Sequence, residues 1–193
     1  MSQRVNTQYS STQNLKKSTA KQKGMTFIEV LIALVIMVTG ILGAVAMQAT
    51  AKKGSFDAMQ RSLASSLAQD IVERMRSNDA TALANYVGTD YGETLNAIPG
   101  KRCHTSGGLC TVTEMADNDK YEWELALMGG DVKNGSNNAG GLVDARACVN
   151  VNNNAVTVVI TWQGRTELVN GSTEGCGDTG SKRRQVLVEA FVF

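Results

Sequence analysis

Hydrophobic and polar positions divide the chain into three stretches of different texture. From Val30 to Met47 run 18 residues in which Thr39 is the only conventionally polar member. As a helix rising ~1.5 Å per residue, this run covers ~27 Å, close to the ~30 Å of a bilayer's hydrocarbon core. Helical periodicity continues past it. Phe56, Met59, Leu63, Leu67, Ile71 and Met75 recur at intervals of three and four, which places them on one face, with Arg61, Gln69, Asp70, Glu73 and Arg76 on others. The spacing predicts one helix over 25–77, ~80 Å long, stopping at Asn78-Asp79. Gly40, Gly43 and Gly54 weaken it by ~1 kcal/mol each relative to alanine.

Beyond residue 79 the pattern shortens. Residues 79–113 read as an irregular connector containing the single proline, Pro99. Met115–Met128 predicts a short helix ended by Gly129-Gly130, with a strand over Tyr121–Leu127 as the alternative. Asp131–Gly141 is rich in Gly, Asn and Ser and reads as loop. Strand signals follow at Ala145–Val151, Val156–Trp162, Arg165–Val169 and Gln185–Phe193. Val156, Val158, Ile160 and Trp162 share a face at period two. The expected fold is α+β, a long N-terminal helix packed against a C-terminal antiparallel sheet.

Charge sharpens this division. Five of the 19 basic residues (Arg4, Lys16, Lys17, Lys21, Lys23) precede residue 25, and no acid occurs before Glu29. The rest of the chain holds 14 basic against 18 acidic residues, a balance with no general attraction for nucleic acid. Basic residues before an apolar run predict a cytoplasmic N-terminus and an exported C-terminal part. An ordinary signal peptide cut after Ala44-Val45-Ala46 would leave a free periplasmic binding domain. Against that reading stand the continuing helix and Glu29. An acid at the mouth of an apolar run is expensive in lipid and has no use in a signal peptide.

The segment Lys23-Gly24-Met25-Thr26-Phe27-Ile28-Glu29-Val30 resembles the processing site of type IV prepilins and of type II secretion pseudopilins. The resemblance implies a leader over 1–24, cleavage by a prepilin peptidase between Gly24 and Met25, and N-methylation of Met25. Met25 stands where that family most often has phenylalanine. Glu29 would pair with the N-terminal amine of an adjoining subunit and set register, each buried charge offsetting the other. Residues 25–48 would form the transmembrane and assembly half of the helix, and 49–193 a periplasmic pilin-like domain on a single-pass inner-membrane anchor. Leu67–Asn78, Trp162-Gln163-Gly164-Arg165 and Arg183–Val188 resemble the PilV family of type IV pilus modification proteins. That resemblance implies a minor pilin that primes pilus assembly. Its partners would be prepilin peptidase, other minor and major pilins, and the inner-membrane assembly machinery. A type II secretion minor pseudopilin is the alternative.

Cys103, Cys110, Cys148 and Cys176, an even set downstream of an export signal, read as two disulfides. Pairing nearest neighbours, Cys103 with Cys110 and Cys148 with Cys176, closes the loops at least entropic cost, and two other connectivities stay open. Their spacing does not suit zinc. His104 is the only histidine, no phosphate-binding glycine motif follows a strand, and neither an enzyme nor a cofactor is expected. Asp117, Asp119, Glu122 and Glu124 could form a calcium site, but a solvated helix face is the preferred reading. Lys182-Arg183-Arg184 likewise reads as a solvated run rather than a contact to DNA or a partner pilin.

Overall fold

The computed structural model describes residues 24–104, 109–168 and 174–192. Two compact units divide the chain, Met1–Val45 and Ala46–Phe193. Helix α1 (Phe27–Ser77) belongs to both, and no proline interrupts it. In the first unit its apolar side chains are exposed, Phe27 and Ile28 at 79% and 62%.

In the second unit α1 turns one face into a shared core. Ala64, Leu67, Ala68, Ile71, Val72 and Met75 pack with Trp123 and Leu127 of α2 (Val112–Leu127) and with the sheet residues Val149, Val156, Val158, Ile160 and Trp162. Of the expected stripe, Leu67, Ile71 and Met75 are buried and Phe56 and Leu63 half-buried, but Met59 is not part of it. Met59 is 58% exposed, and its neighbour Gln60 is 3% exposed. Gln60 donates to Gly141 O at 3.4 Å and accepts from Val143 N at 3.0 Å, so its buried amide ties a loop backbone to α1.

The sheet is antiparallel in the order β1-β4-β5-β6, with β1 Gly88–Tyr91, β4 Arg146–Asn152, β5 Ala155–Gln163 and β6 Arg183–Phe191. Period two on β5 holds on its inner face, where Val156, Val158, Ile160 and Trp162 are all within 1% of full burial. Asn153, with φ 55°, makes the tight turn between β4 and β5 in the left-handed conformation asparagine tolerates.

Four expectations need correction. The connector 79–113 is partly regular: Asp79 accepts from Thr81 N and Oγ1 at 2.9 and 2.6 Å, capping a 3-10 helix over Ala80–Tyr86 that leads into β1. Helix α2 starts at Val112 rather than Met115, because Thr111 and Glu114 form a reciprocal capping box. The loop 131–141 holds a small hairpin, β2 (Lys133–Asn134) with β3 (Asn137–Asn138). Arg165–Leu168 joins no strand; Arg165 N and Thr166 Oγ1 donate instead to Asp57 of α1, at 2.9 and 2.8 Å. Val169, the last residue of that expected strand, lies outside the described residues, as do residues 1–23 of the expected leader.

Candidate assembly site

The sequence-derived site begins just before α1. Residues 24–26 carry no regular secondary structure and are exposed, with Met25 at 75%. A peptide bond in such a stretch is open to a peptidase, whereas one inside a helix would have to unwind first.

Thr26 is a residue that the motif reading passed over. Its backbone N and its Oγ1 both donate to Glu29 Oε2 at 3.0 Å, and Glu29 N donates back to Thr26 Oγ1 at 3.4 Å. This is a capping box, in which two of the helix's orphan N–H groups and a carboxylate satisfy one another. The carboxylate also stands where the helix dipole favours negative charge. The signal was legible: Thr26-Phe27-Ile28-Glu29 is the same threonine–glutamate spacing as Thr111–Glu114. Among the described residues Oε1 of Glu29 accepts no hydrogen bond. The acid is thus held from one side with an acceptor left over, at the start of an 18-residue apolar window none of which is buried within the protein.

The four cysteines form two bridges, Cys103–Cys110 and Cys148–Cys176, with Cα separations of 5.7 and 5.9 Å. The second lays the 174–177 segment against the outer face of the sheet. There Thr161 Oγ1 donates to Cys176 O at 3.1 Å, and both residues are buried. Residues 105–108 of the first loop lie outside the described residues.

The acidic cluster on α2 is not a solvated face. Glu124 is 1% and Asp119 7% exposed. Glu124 accepts from Gly92 N, Asn96 N and Asn96 Nδ2 at 2.8, 2.9 and 2.6 Å, anchoring the chain after β1. Asp119 accepts from Tyr86 Oη at 2.7 Å and pairs with Arg74 at 3.2 Å. Glu122 bridges Arg74 at 3.2 Å and Arg102 at 2.9 Å. Burial pushes Asp119 above the ordinary aspartate value, outweighing its bonds to Tyr86 and Arg74. Burial also raises Glu122, but hydrogen bonds from Arg102, Asn118 and Arg74 prevail and hold it below the usual range. Each acid is thus committed to a structural partner except Asp117, which pairs with Lys120 on its own helix at 3.0 Å and stays half exposed. Among the described residues no group of three or more His, Cys, Asp or Glu is placed to hold a metal ion.

The basic run is also misread as solvated. Arg183 is 4% exposed, donating to Asp144 O and Oδ2 at 2.7 and 2.8 Å and to Thr161 Oγ1 at 2.8 Å. Arg184 donates to Thr166 O at 2.6 Å and lies 3.6 Å from Asp57. Lys182 alone of the three is exposed.

Residues 19–45 match the family model of the prokaryotic N-terminal methylation motif, and residues 46–121 match that of type IV pilin Tt1218. Together they support a type IV pilin. The methylation motif implies a pilin that is a substrate of prepilin peptidase and assembles with other pilins. The apolar start of α1 and the motif fit a membrane-anchored pilin, and the matched family is one of structural subunits. No curated protein and no solved structure matches the chain.

Proposed function

We propose that this pilin is a minor subunit that primes and enters a type IV pilus. Prepilin peptidase cuts it after Gly24 and methylates the amine of Met25. Residues 25–48 anchor it in the inner membrane, and the second unit lies on the periplasmic side, away from the basic residues that precede the apolar run. The resemblance of Leu67–Asn78 and Arg183–Val188 to the PilV family narrows the reading from pilin to minor pilin.

The observation that carries the proposal is Glu29 gripped through one oxygen by Thr26 at the head of an exposed apolar helix. In lipid an unpaired carboxylate and an unpaired ammonium are each unfavourable by several kcal/mol. Glu29 keeps its local bonds while the subunit waits in the membrane. When an adjoining subunit brings its methylated amine, the second oxygen takes up the charge, and only one axial offset between helices allows that pairing. The two disulfides hold the periplasmic unit folded in an oxidising compartment.

Recovery in sheared pili tests this. The parent chain is expected in the fibre fraction with N-methyl-Met25 as its first residue, and clean deletion of the gene should sharply reduce surface pili without stopping major pilin synthesis. Glu29→Gln should be processed yet left in the membrane. A mature chain beginning at Met47, or normal piliation in the deletion strain, refutes the proposal. Lost exoprotein secretion with unchanged piliation assigns the chain to a type II secretion pseudopilin instead.

A further inference from the structure

The basic residues of the second unit divide by position. Arg74, Arg76, Lys101, Arg102 and Lys120 each reach a carboxylate, at 2.6–3.2 Å. Arg146, Arg183 and Arg184 also find one. The rest, Lys52, Lys53, Arg61, Lys133, Arg165 and Lys182, form no ion pair among the described residues, and all are exposed. They share one end of the unit. Lys52, Lys53 and Arg61 stand on α1. Arg165 lays its guanidinium over the Phe56 ring, 4.1 Å from the centroid. Lys182 O accepts from Gly164 N at 2.8 Å and Ser181 O from Leu168 N at 2.7 Å, which sets Lys182 beside the segment that Asp57 holds. Lys133 belongs to the hairpin just before the 141–143 loop bonded to Gln60. At this end Asp57 is taken up by Arg184, so only Asp131 and Glu167 oppose the unpaired cations, and positive charge is in excess.

This is also the end at which α1 leaves the apolar run. Met47 closes that run and lies within the second unit. Lys52 and Lys53 follow it by ~7.5–9 Å along the helix, and Phe56, with Arg165 against it, by ~14 Å. The headgroup layer adds ~5–7 Å to each side of the hydrocarbon, and the surface potential decays over a further ~8 Å. Side chains on a helix lean toward its N-terminus, so Lys52 and Lys53 point back toward the run. Lys182 precedes β6, at the end of the sheet nearest Asp57. Arg61 and Lys133 stand higher, near the level of Gln60, and add to the field rather than to a contact. Cations spread over a helix and two loops suit an extended anionic surface better than one carboxylate or one free phosphate.

We infer that this end of the second unit rests on anionic phospholipid, with Lys52, Lys53, Arg165 and Lys182 facing the headgroups of the membrane that holds α1. The inference rests on reading 25–48 as a membrane anchor and adds a lipid preference to it. The apolar run supplies insertion into any bilayer, and the cations supply the choice of headgroup.

The test places the mature full-length chain, 15N-labelled, in nanodiscs of phosphatidylcholine alone or mixed with phosphatidylglycerol, each doped with a lipid whose headgroup chelates gadolinium. Broadening of the Thr166, Leu168 and Ser181 amides is referenced to Asn153, in the turn at the far end of β5. It should grow several-fold when phosphatidylglycerol is present and fall back in high salt. Lys52→Gln with Lys53→Gln, and separately Lys182→Gln, break no ion pair among the described residues. They should lower the ratio of docked to undocked unit roughly fivefold per charge removed. Lys120→Gln, the same change of charge at a lysine paired with Asp117, should leave it unchanged. Equal broadening in both lipids, unchanged broadening in the Lys52, Lys53 and Lys182 variants, or a saturable shift of the same amides by sodium phosphate in phosphatidylcholine discs overturns the inference. Should equal broadening come with loss of these variants from sheared pili, the cations serve an adjoining pilin instead. If the mature chain does not enter the discs at all, the membrane-anchor reading fails; if it enters without preferring phosphatidylglycerol, only the headgroup contact does.

Discussion

Replacing Glu124 by glutamine keeps the size of the side chain and removes one of the two oxygens on which the chain after β1 depends. Oε1 accepts from Gly92 N, and Oε2 accepts from both Asn96 N and Asn96 Nδ2. The amide has one oxygen. Kept at Asn96, it turns its NH2 toward the Gly92 N–H, donor against donor, in a site 1% exposed. A buried donor left without an acceptor costs ~1–3 kcal/mol, and turning two charge-assisted bonds into neutral ones removes on the order of 1 kcal/mol each, so the loss should be roughly 3–5 kcal/mol. Domains are stable by only ~5–15 kcal/mol, so this is a large share. Urea unfolding of the mature chain in detergent, followed by tryptophan emission, measures it. Trp123 meets Tyr91 edge-on at 5.3 Å, next to Gly92, and reports the right region. Hydrogen exchange at the Gly92 and Asn96 amides should accelerate in parallel. Asp117→Asn, on the exposed side of the same helix, should stay within ~0.5 kcal/mol of the parent. If the two substitutions shift the midpoint equally, or Gly92 exchanges as fast in the parent as in Glu124→Gln, the anchoring argument is wrong.

Three further outcomes follow from the same geometry. Loop-closure entropy assigns roughly 3.6 kcal/mol to Cys148–Cys176, whose partners are 28 residues apart, and roughly 2.4 to Cys103–Cys110, 7 apart. Paired Cys→Ser replacements should therefore lower the urea midpoint in that order. Gly129 has φ 70° and an added Cβ would lie 1.8 Å from Gly140 O, whereas at Gly135, φ 65°, it would meet nothing within 4 Å. Gly129→Ala should therefore exceed the ~1–2 kcal/mol left-handed penalty that limits Gly135→Ala, by the same unfolding measurement. On acidification, burial acts to raise Asp57, but bonds from Arg165 and Thr166 and the Arg184 charge hold it low, and Glu122 is likewise held low. Groups with depressed folded values stabilise above their ordinary values and lose that contribution as pH falls, so thermal stability should drop as pH passes below 4.5 and 3.8. Asp119, raised by burial, works in the opposite sense and should blunt the fall, while Asp57→Asn should make it shallower.

What the sequence disclosed follows from how far each signal had to reach. Period two on β5 named its inner face because neighbouring strands read the same alternation. It gave no warning that Thr161, on the outer face, is also fully buried, because its cover is the Cys176 loop, closed by a disulfide spanning 28 residues. On α1, hydrophobicity alone selects Met59. The structure buries Gln60, whose partners lie more than 80 residues on, together with Ala64 and Ala68, small side chains that a hydrophobic count underrates. Charged residues were the poorest guide. Glu124, Asp119 and Arg183 are counted as surface by composition, and each is buried because its partner comes from a segment far along the chain, as Arg74 meets Asp119 across 45 residues.

Local signals behaved differently, and the assembly site depends on them. Threonine followed three residues later by glutamate needs no distant partner, and it forms the same reciprocal box at 26–29 and at 111–114. At 111–114 the glutamate is shared with Lys101 at 3.2 Å, so the box has its countercharge and simply fixes where α2 begins. At 26–29 the same two residues stand at the mouth of an apolar helix, and no cation among the described residues pairs with Glu29. Among the described residues the carboxylate, arranged identically in both places, meets a cation in only one, and an acid without a countercharge is costly in lipid. The difference between the boxes, rather than the motif by itself, is what supports the proposal that Glu29 serves assembly while Glu114 only caps a helix.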